Sequence, residues 1–288
     1  METTKHKHKL FDRPFLGGLV AIVIAFIIIS NLSFIPVLCI EVIRGLFPEV
    51  SISAELDNNV KYIGFILASL VCLLLFRLWF HKDGSKGCFP RAGLRNKEAW
   101  LFVLCGLLMD VILTFGDYAF TKTIPVMPTV STVLISLQAG VNEETIYRAV
   151  PVSIMMKNNP SRRRMWAAAL ITALVFGLVH MGNVVAGASL NGAVVQSANA
   201  LCMGLFFAAV YLRSGNILLT IVFHTLHDVI ALTDPAQVTG VFTKASFSAF
   251  SLILPAAIAA AYAAAAVFLL RKSKWDEIQA TWANIWAE

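Results

Sequence analysis

Apolar residues in this chain arrive in long runs, and eight of the runs reach the length a bilayer demands. A spanning helix needs about 20 mostly apolar residues. Segments of that kind cover roughly 14–40, 60–80, 99–120, 129–156, 165–186, 194–213, 215–233 and 246–270. Water-soluble packing cannot accommodate such a pattern. Charged residues make up 14% of the 288 residues and hydrophobic ones 58%, where a soluble domain carries about 25% charged residues. Mean hydropathy is +0.75. The expected fold class is therefore all-α, a polytopic membrane helical bundle with about eight transmembrane helices. The whole of 1–288 reads as a single membrane-embedded domain, with no repeat, linker or low-complexity tract. The first run continues from Phe15 to Ile40 with no small-x-small cleavage site. It reads as a retained span rather than a signal peptide.

The net charge of +6 does not mark a nucleic-acid groove, because the basic residues alternate with the spans. Eighteen Lys and Arg residues fall on the amino-terminal tail, on the loops after spans 2, 4 and 6, and after span 8. Only Arg44, Lys61, Lys122 and Lys244 fall on the other side, and Arg148 lies inside span 4. By the positive-inside rule both termini are expected in the cytoplasm. The partner this distribution implies is the lipid bilayer, not nucleic acid. Beyond span 8, Trp275, Ile278, Trp282, Ile285 and Trp286 recur at helical spacing. Such a stripe suits a short helix lying at the headgroups, or one packed on the protein's own cytoplasmic loops. Of the five cysteines, Cys39, Cys72, Cys105 and Cys202 sit in apolar runs, and none forms a C-x-x-C pair with another or with Cys88. They read as small apolar filler.

The informative residues are those that should not be in lipid. Span 4 carries Glu143, Glu144 and Arg148. Each ionised side chain near a helix centre costs about 2.5–3.5 kcal/mol on insertion scales. Glu144 and Arg148, at i and i+4, share a face and can pair. Glu143 points about 100° away and has no counter-charge in its own helix. Span 5 ends in Phe176-Gly177-Leu178-Val179-His180, and span 7 carries His224-Thr225-Leu226-His227-Asp228. A carboxylate and imidazoles meeting in a dry pocket can activate water or hold a metal such as zinc. An internal salt bridge that only locks helices together accounts equally well for Glu144 and Arg148.

In this order, Glu-Glu-x-x-x-Arg, Phe-x-x-x-His and His-x-x-x-Asp resemble the CPBP family. That group comprises the type II CAAX prenyl endopeptidases and their bacterial Abi-like relatives. The motifs span a core at 129–233. The resemblance implies an intramembrane endopeptidase acting on a membrane-associated peptide or protein substrate, and an integral protein of a bacterial cell membrane. By match to the motif, Glu143 is the general base and His180 holds the water. His224 and Asp228 occupy the oxyanion-stabilising positions, and Glu144 with Arg148 braces the helix. A cofactor-free glutamate mechanism is expected, with zinc as the alternative. Asp228 departs from the Asn of the eukaryotic enzymes, and an ionised aspartate cannot donate to an oxyanion. It would instead orient His224 or bind a metal. The other readings are a non-catalytic immunity or scaffold protein and a small proton-relay transporter. The transporter lacks an inverted repeat.

Overall fold

The structure is a computed structural model that describes residues 13–81, 86–158, 160–235 and 253–286. The basic tail residues Lys5, Lys7 and Lys9, the neighbouring His6 and His8, Lys82, Lys244, and the first part of the eighth expected span (246–252) lie outside the described residues. Within them the chain is all-α, with no strand. The helices are α1 Pro14–Leu32, α2 Phe34–Leu46, α3 Ala54–His81, α4 Lys97–Thr121 and α5 Val130–Glu144. They continue with α6 Val150–Met155, α7 Arg162–Val179, α8 Leu190–Ser214, α9 Leu218–Ala231, α10 Ile253–Leu269 and α11 Trp275–Ile285.

Five of the eight expected spans are long and apolar enough to cross a membrane by length and composition: 14–46, 54–81, 97–121, 162–184 and 190–214. The remaining three depart for identifiable reasons. The 130–155 segment carries three ionisable side chains and is interrupted by a π turn at Thr145–Ala149. α9 is only 14 residues long. α10 has 17 residues and passes the test only if joined to α11 across a 50° bend. The helices that do qualify present apolar side chains outward, among them Phe26 on α1, Leu74 on α3 and Leu104 and Ile112 on α4. This outward apolar surface suits lipid.

Helix ends are set by local chemistry. Thr129 and Thr132 form a reciprocal capping box at the start of α5, which satisfies donors that a helix leaves free at its first turn. Asn96, Ser161 and Ser189 cap α4, α7 and α8, each side chain accepting one backbone N–H of the first turn. Gly215, at φ +69°, ends α8 in the left-handed region. α8 is the axis of the bundle. From Gly204 to Ser214 every residue is buried, as expected of a helix that is apolar all round. α7, α10 and α11 pack around it.

One end of the bundle is clamped by ions. Glu98 accepts from Arg213 Nη2 at 3.0 Å and from Arg271 Nη2 at 2.7 Å. Arg213 also bonds Glu277, and Asn96 Nδ2 donates to the Arg213 carbonyl at 3.0 Å. These contacts join α4, α8, α11 and the turn after α10. The tryptophan stripe belongs to this end and corrects the headgroup expectation. Ile278, Trp282 and Ile285 are at most 2% exposed. Trp282 stacks edge-on against Tyr211, with centroids 5.3 Å apart, and donates to the Leu212 carbonyl at 2.9 Å. Trp286 donates to the Ser153 carbonyl. The stripe faces the protein, where α8 supplies both an aromatic partner and an acceptor for the indole N–H. All five cysteines are free.

Candidate functional site: a carboxylate and histidine cavity

The polar residues of α5, α7 and α9 are brought together by close helix contacts. At Gly140 a Cβ would lie 3.0 Å from the Ile221 carbonyl oxygen and 3.1 Å from the Thr225 nitrogen. Glycine therefore lets α9 approach α5 closely enough for His224 to reach span 4. Gly204 does the same for α8, where a Cβ would meet Arg148 Nη2 at 2.7 Å and Phe176 at 2.9 Å. The π turn follows Glu144 directly, with the Val150 N–H closing onto the Thr145 carbonyl. Such turns mark local strain in a helix and occur often at functional sites.

Glu144 and Arg148 are both fully buried and pair at 3.0 Å. The same Glu144 oxygen accepts from His224 Nδ1 at 3.0 Å. Because a carboxylate only accepts, Nδ1 carries a proton, and Nε2 is turned away from Glu144. Nε2 lies 3.6 Å from Glu143 Oε2 and 3.6 Å from Asp228 Oδ2. The Arg148 guanidinium lies 4.0 Å above the Phe176 ring and 5.3 Å from the Phe207 ring, so aromatic faces supply part of the environment that water would otherwise give it. Phe176 also meets His180 edge-on, at 4.8 Å between centroids. His180 Nδ1 donates to the Phe176 carbonyl at 2.8 Å, which frees its Nε2 as an acceptor.

Glu143, His180, His224 and Asp228 line one cavity of about 520 Å³. The Glu143 side chain is 31% exposed and Asp228 25%, whereas Glu144 is sealed at 0%. Two adjacent glutamates thus occupy opposite environments, one open to the cavity and the other behind it. Gln138, Asn183, Gln196 and Asn199 give the cavity amide walls. Among the described residues, no three His, Cys, Asp or Glu side chains form a group that could hold a metal ion.

Sequence reasoning missed a second polar chain. Asp110, on α4, is 6% exposed. It accepts from His227 Nδ1 at 2.8 Å and from the Tyr262 hydroxyl at 2.6 Å. His227 lines the same cavity. The signal was present as a lone carboxylate in an otherwise apolar run, which is as costly in lipid as Glu143. The role of Glu144 toward His224 was also invisible, because the two residues lie 80 positions apart.

Residues 125–230 match the family model described as type II CAAX prenyl endopeptidase Rce1-like. The motif-bearing core is similar to that family. The match covers a little over a third of the chain, and it encloses all three motifs. No curated protein and no solved structure matches the chain. The likeness is to a family of membrane proteases of the CAAX type.

Proposed function

We propose that the chain is an intramembrane endopeptidase in which Glu143 activates the attacking water. The observation that carries this reading is the contrast between the two glutamates. Glu143 opens on a polar cavity beside two imidazoles, and Glu144 is closed off and holds His224 from behind. In this scheme Glu143 takes a proton from water, and the hydroxide adds to the scissile carbonyl carbon. His180 Nε2 accepts a hydrogen bond from the same water and fixes its position. His224 Nε2–H donates to the carbonyl oxygen as it becomes an oxyanion. Glu143 then returns its proton to the leaving amide nitrogen as the C–N bond breaks. Asp228 faces His224 Nε2 at 3.6 Å, so its role is to favour the charged, donating imidazole rather than to donate itself. Arg148 neutralises Glu144 and fixes its position.

The reading is tested by comparing membrane proteins from cells carrying the unchanged chain and Glu143→Gln. New amino termini should appear only with the unchanged chain. Identical sets of termini from the two strains would exclude proteolysis.

The mechanism also needs no metal. The purified protein should contain far less than one zinc per chain by elemental analysis, and chelation should leave turnover intact. About one zinc per chain, lost together with activity, would replace this mechanism by a metal-dependent one.

Asp110 serves as a positioning residue that holds His227 at the cavity wall with Tyr262 behind it. In metal sites, the partners that orient histidines contribute about 10–100-fold, and a loss of that order is expected for a histidine held by a buried carboxylate. Asp110→Asn should lower kcat by roughly that factor while leaving KM and the melting temperature near those of the unchanged protein. A parallel loss of stability with kcat unchanged would make Asp110 purely structural.

A further inference from the structure

The two ends of the bundle differ in charge, and the cavity belongs to only one of them. Among the described residues, fourteen Lys and Arg side chains gather at the end where α3, α6, α8 and α10 finish and α7 begins. Contacts hold this end together as one surface. The Lys86 N–H donates to the Ile285 carbonyl at 2.7 Å, and Trp286 reaches Ser153 at the end of α6. The opposite end carries three described basic residues, Arg44, Lys61 and Lys122, and collects Glu49, Glu55, Asp57 and Asp117.

The cavity runs from that opposite end to the middle of the bundle. Its wall is built from α5 between Ile135 and Glu143, the last turn of α7, the 3-10 turn with His180 and Asn183, the first half of α8 as far as Met203, and α9 from His224 through to Leu232 beyond it. Just past Asn183, Val185 is 93% exposed. Toward the basic end the way is filled. The Glu144–Arg148 pair is fully buried, and beyond it Met155 and Met156 are 0% exposed.

We propose that the cavity opens on the non-cytoplasmic side of the membrane, and that its substrate is a polypeptide segment presented there. The sidedness rests on the basic residues, which are retained on the cytoplasmic side. The substrate assignment rests on the proteolytic reading above. A carboxyl terminus lipidated in the cytoplasm would have to cross about 30 Å of hydrocarbon to reach the opening. An exported peptide, or the outer part of a membrane-spanning protein, meets the opening directly. The walls suit an extended backbone. Gln138 and Asn199 offer amide donors and acceptors, and the Ser136 hydroxyl is buried in the wall with no hydrogen-bond partner.

The test places single cysteines on exposed residues at the two ends. Val185→Cys and Arg163→Cys are each treated with a membrane-impermeant maleimide in intact cells, with the unchanged chain giving the background. Val185→Cys should label in intact cells, and Arg163→Cys only after permeabilisation. The reverse pattern overturns the sidedness. The Glu143-dependent cleavage sites should then map to non-cytoplasmic segments, and sites on cytoplasmic lipidated carboxyl termini would overturn the substrate class. Correct labelling with no Glu143-dependent cleavage at all would remove the protease reading and leave the orientation standing.

Discussion

Glu143→Gln should reduce cleavage about 10²–10⁴-fold, the usual loss when a general base is removed, with normal amounts of protein in the membrane. Glutamine keeps the shape of the side chain and cannot take a proton from water. Little stability should be lost, because the Glu143 carboxylate is 31% exposed and lies 3.6 Å from His224, beyond hydrogen-bond range. The informative control is Glu144→Gln. The sequence alone predicts that this change acts through stability. The structure adds that Glu144 also fixes the proton on His224 Nδ1, so some activity should go with it, alongside a fall in abundance that Glu143→Gln does not share. Cleavage assays normalised to immunoblotted protein separate the two. Full activity of Glu143→Gln at normal abundance would assign the residue a structural role.

Arg148→Ala should have the largest effect on stability. It leaves Glu144 fully buried without its guanidinium partner, and breaking a buried pair from one side costs about 3–5 kcal/mol. Packing is lost as well, because the guanidinium fills the space that Gly204 leaves against Phe176 and Phe207. Abundance and the melting temperature in detergent should both fall steeply. Changing both partners, Glu144→Gln with Arg148→Gln, removes the unpaired charge and should recover part of the loss. Recovery should be incomplete, since glutamine is shorter than arginine and leaves the aromatic faces partly uncovered. Equal abundance of the unchanged chain, Arg148→Ala and the double variant would show that the pair does not support the fold.

The contrast between what was legible and what was not follows sequence distance. The spans, the Glu144–Arg148 pair and the shared face of His224 and Asp228 are local facts of helical periodicity, and the structure places that pair at 3.0 Å. The link between His224 and Glu144 crosses from α9 to α5, and that between Asp110 and His227 from α4 to α9. No periodicity encodes such contacts. They depend on how closely helices approach, which Gly140 controls at one crossing. The tryptophan stripe was readable as amphipathic, but its pattern cannot say whether the partner is lipid or protein. Tyr211 and the Leu212 carbonyl decide that in three dimensions. The π turn at Thr145–Ala149 within segment 129–156 leaves no mark in apolar spacing.

The ionic clamp formed by Glu98, Arg213, Arg271 and Glu277 ties four segments of the chain at one point. Charge-assisted bonds are roughly twice as strong as neutral ones, and here they bolt helix ends together far from the cavity. At the far end, α4 and α9 meet through Tyr118 and Thr233 at 2.9 Å and, deeper in, through Asp110 and His227 at 2.8 Å, while Asp57 pairs with Lys61 and Arg44. The clamp stands apart from all of these, so a chain entering beside His180 and Asp228 does not have to break the bonds that keep α4, α8 and α11 in register.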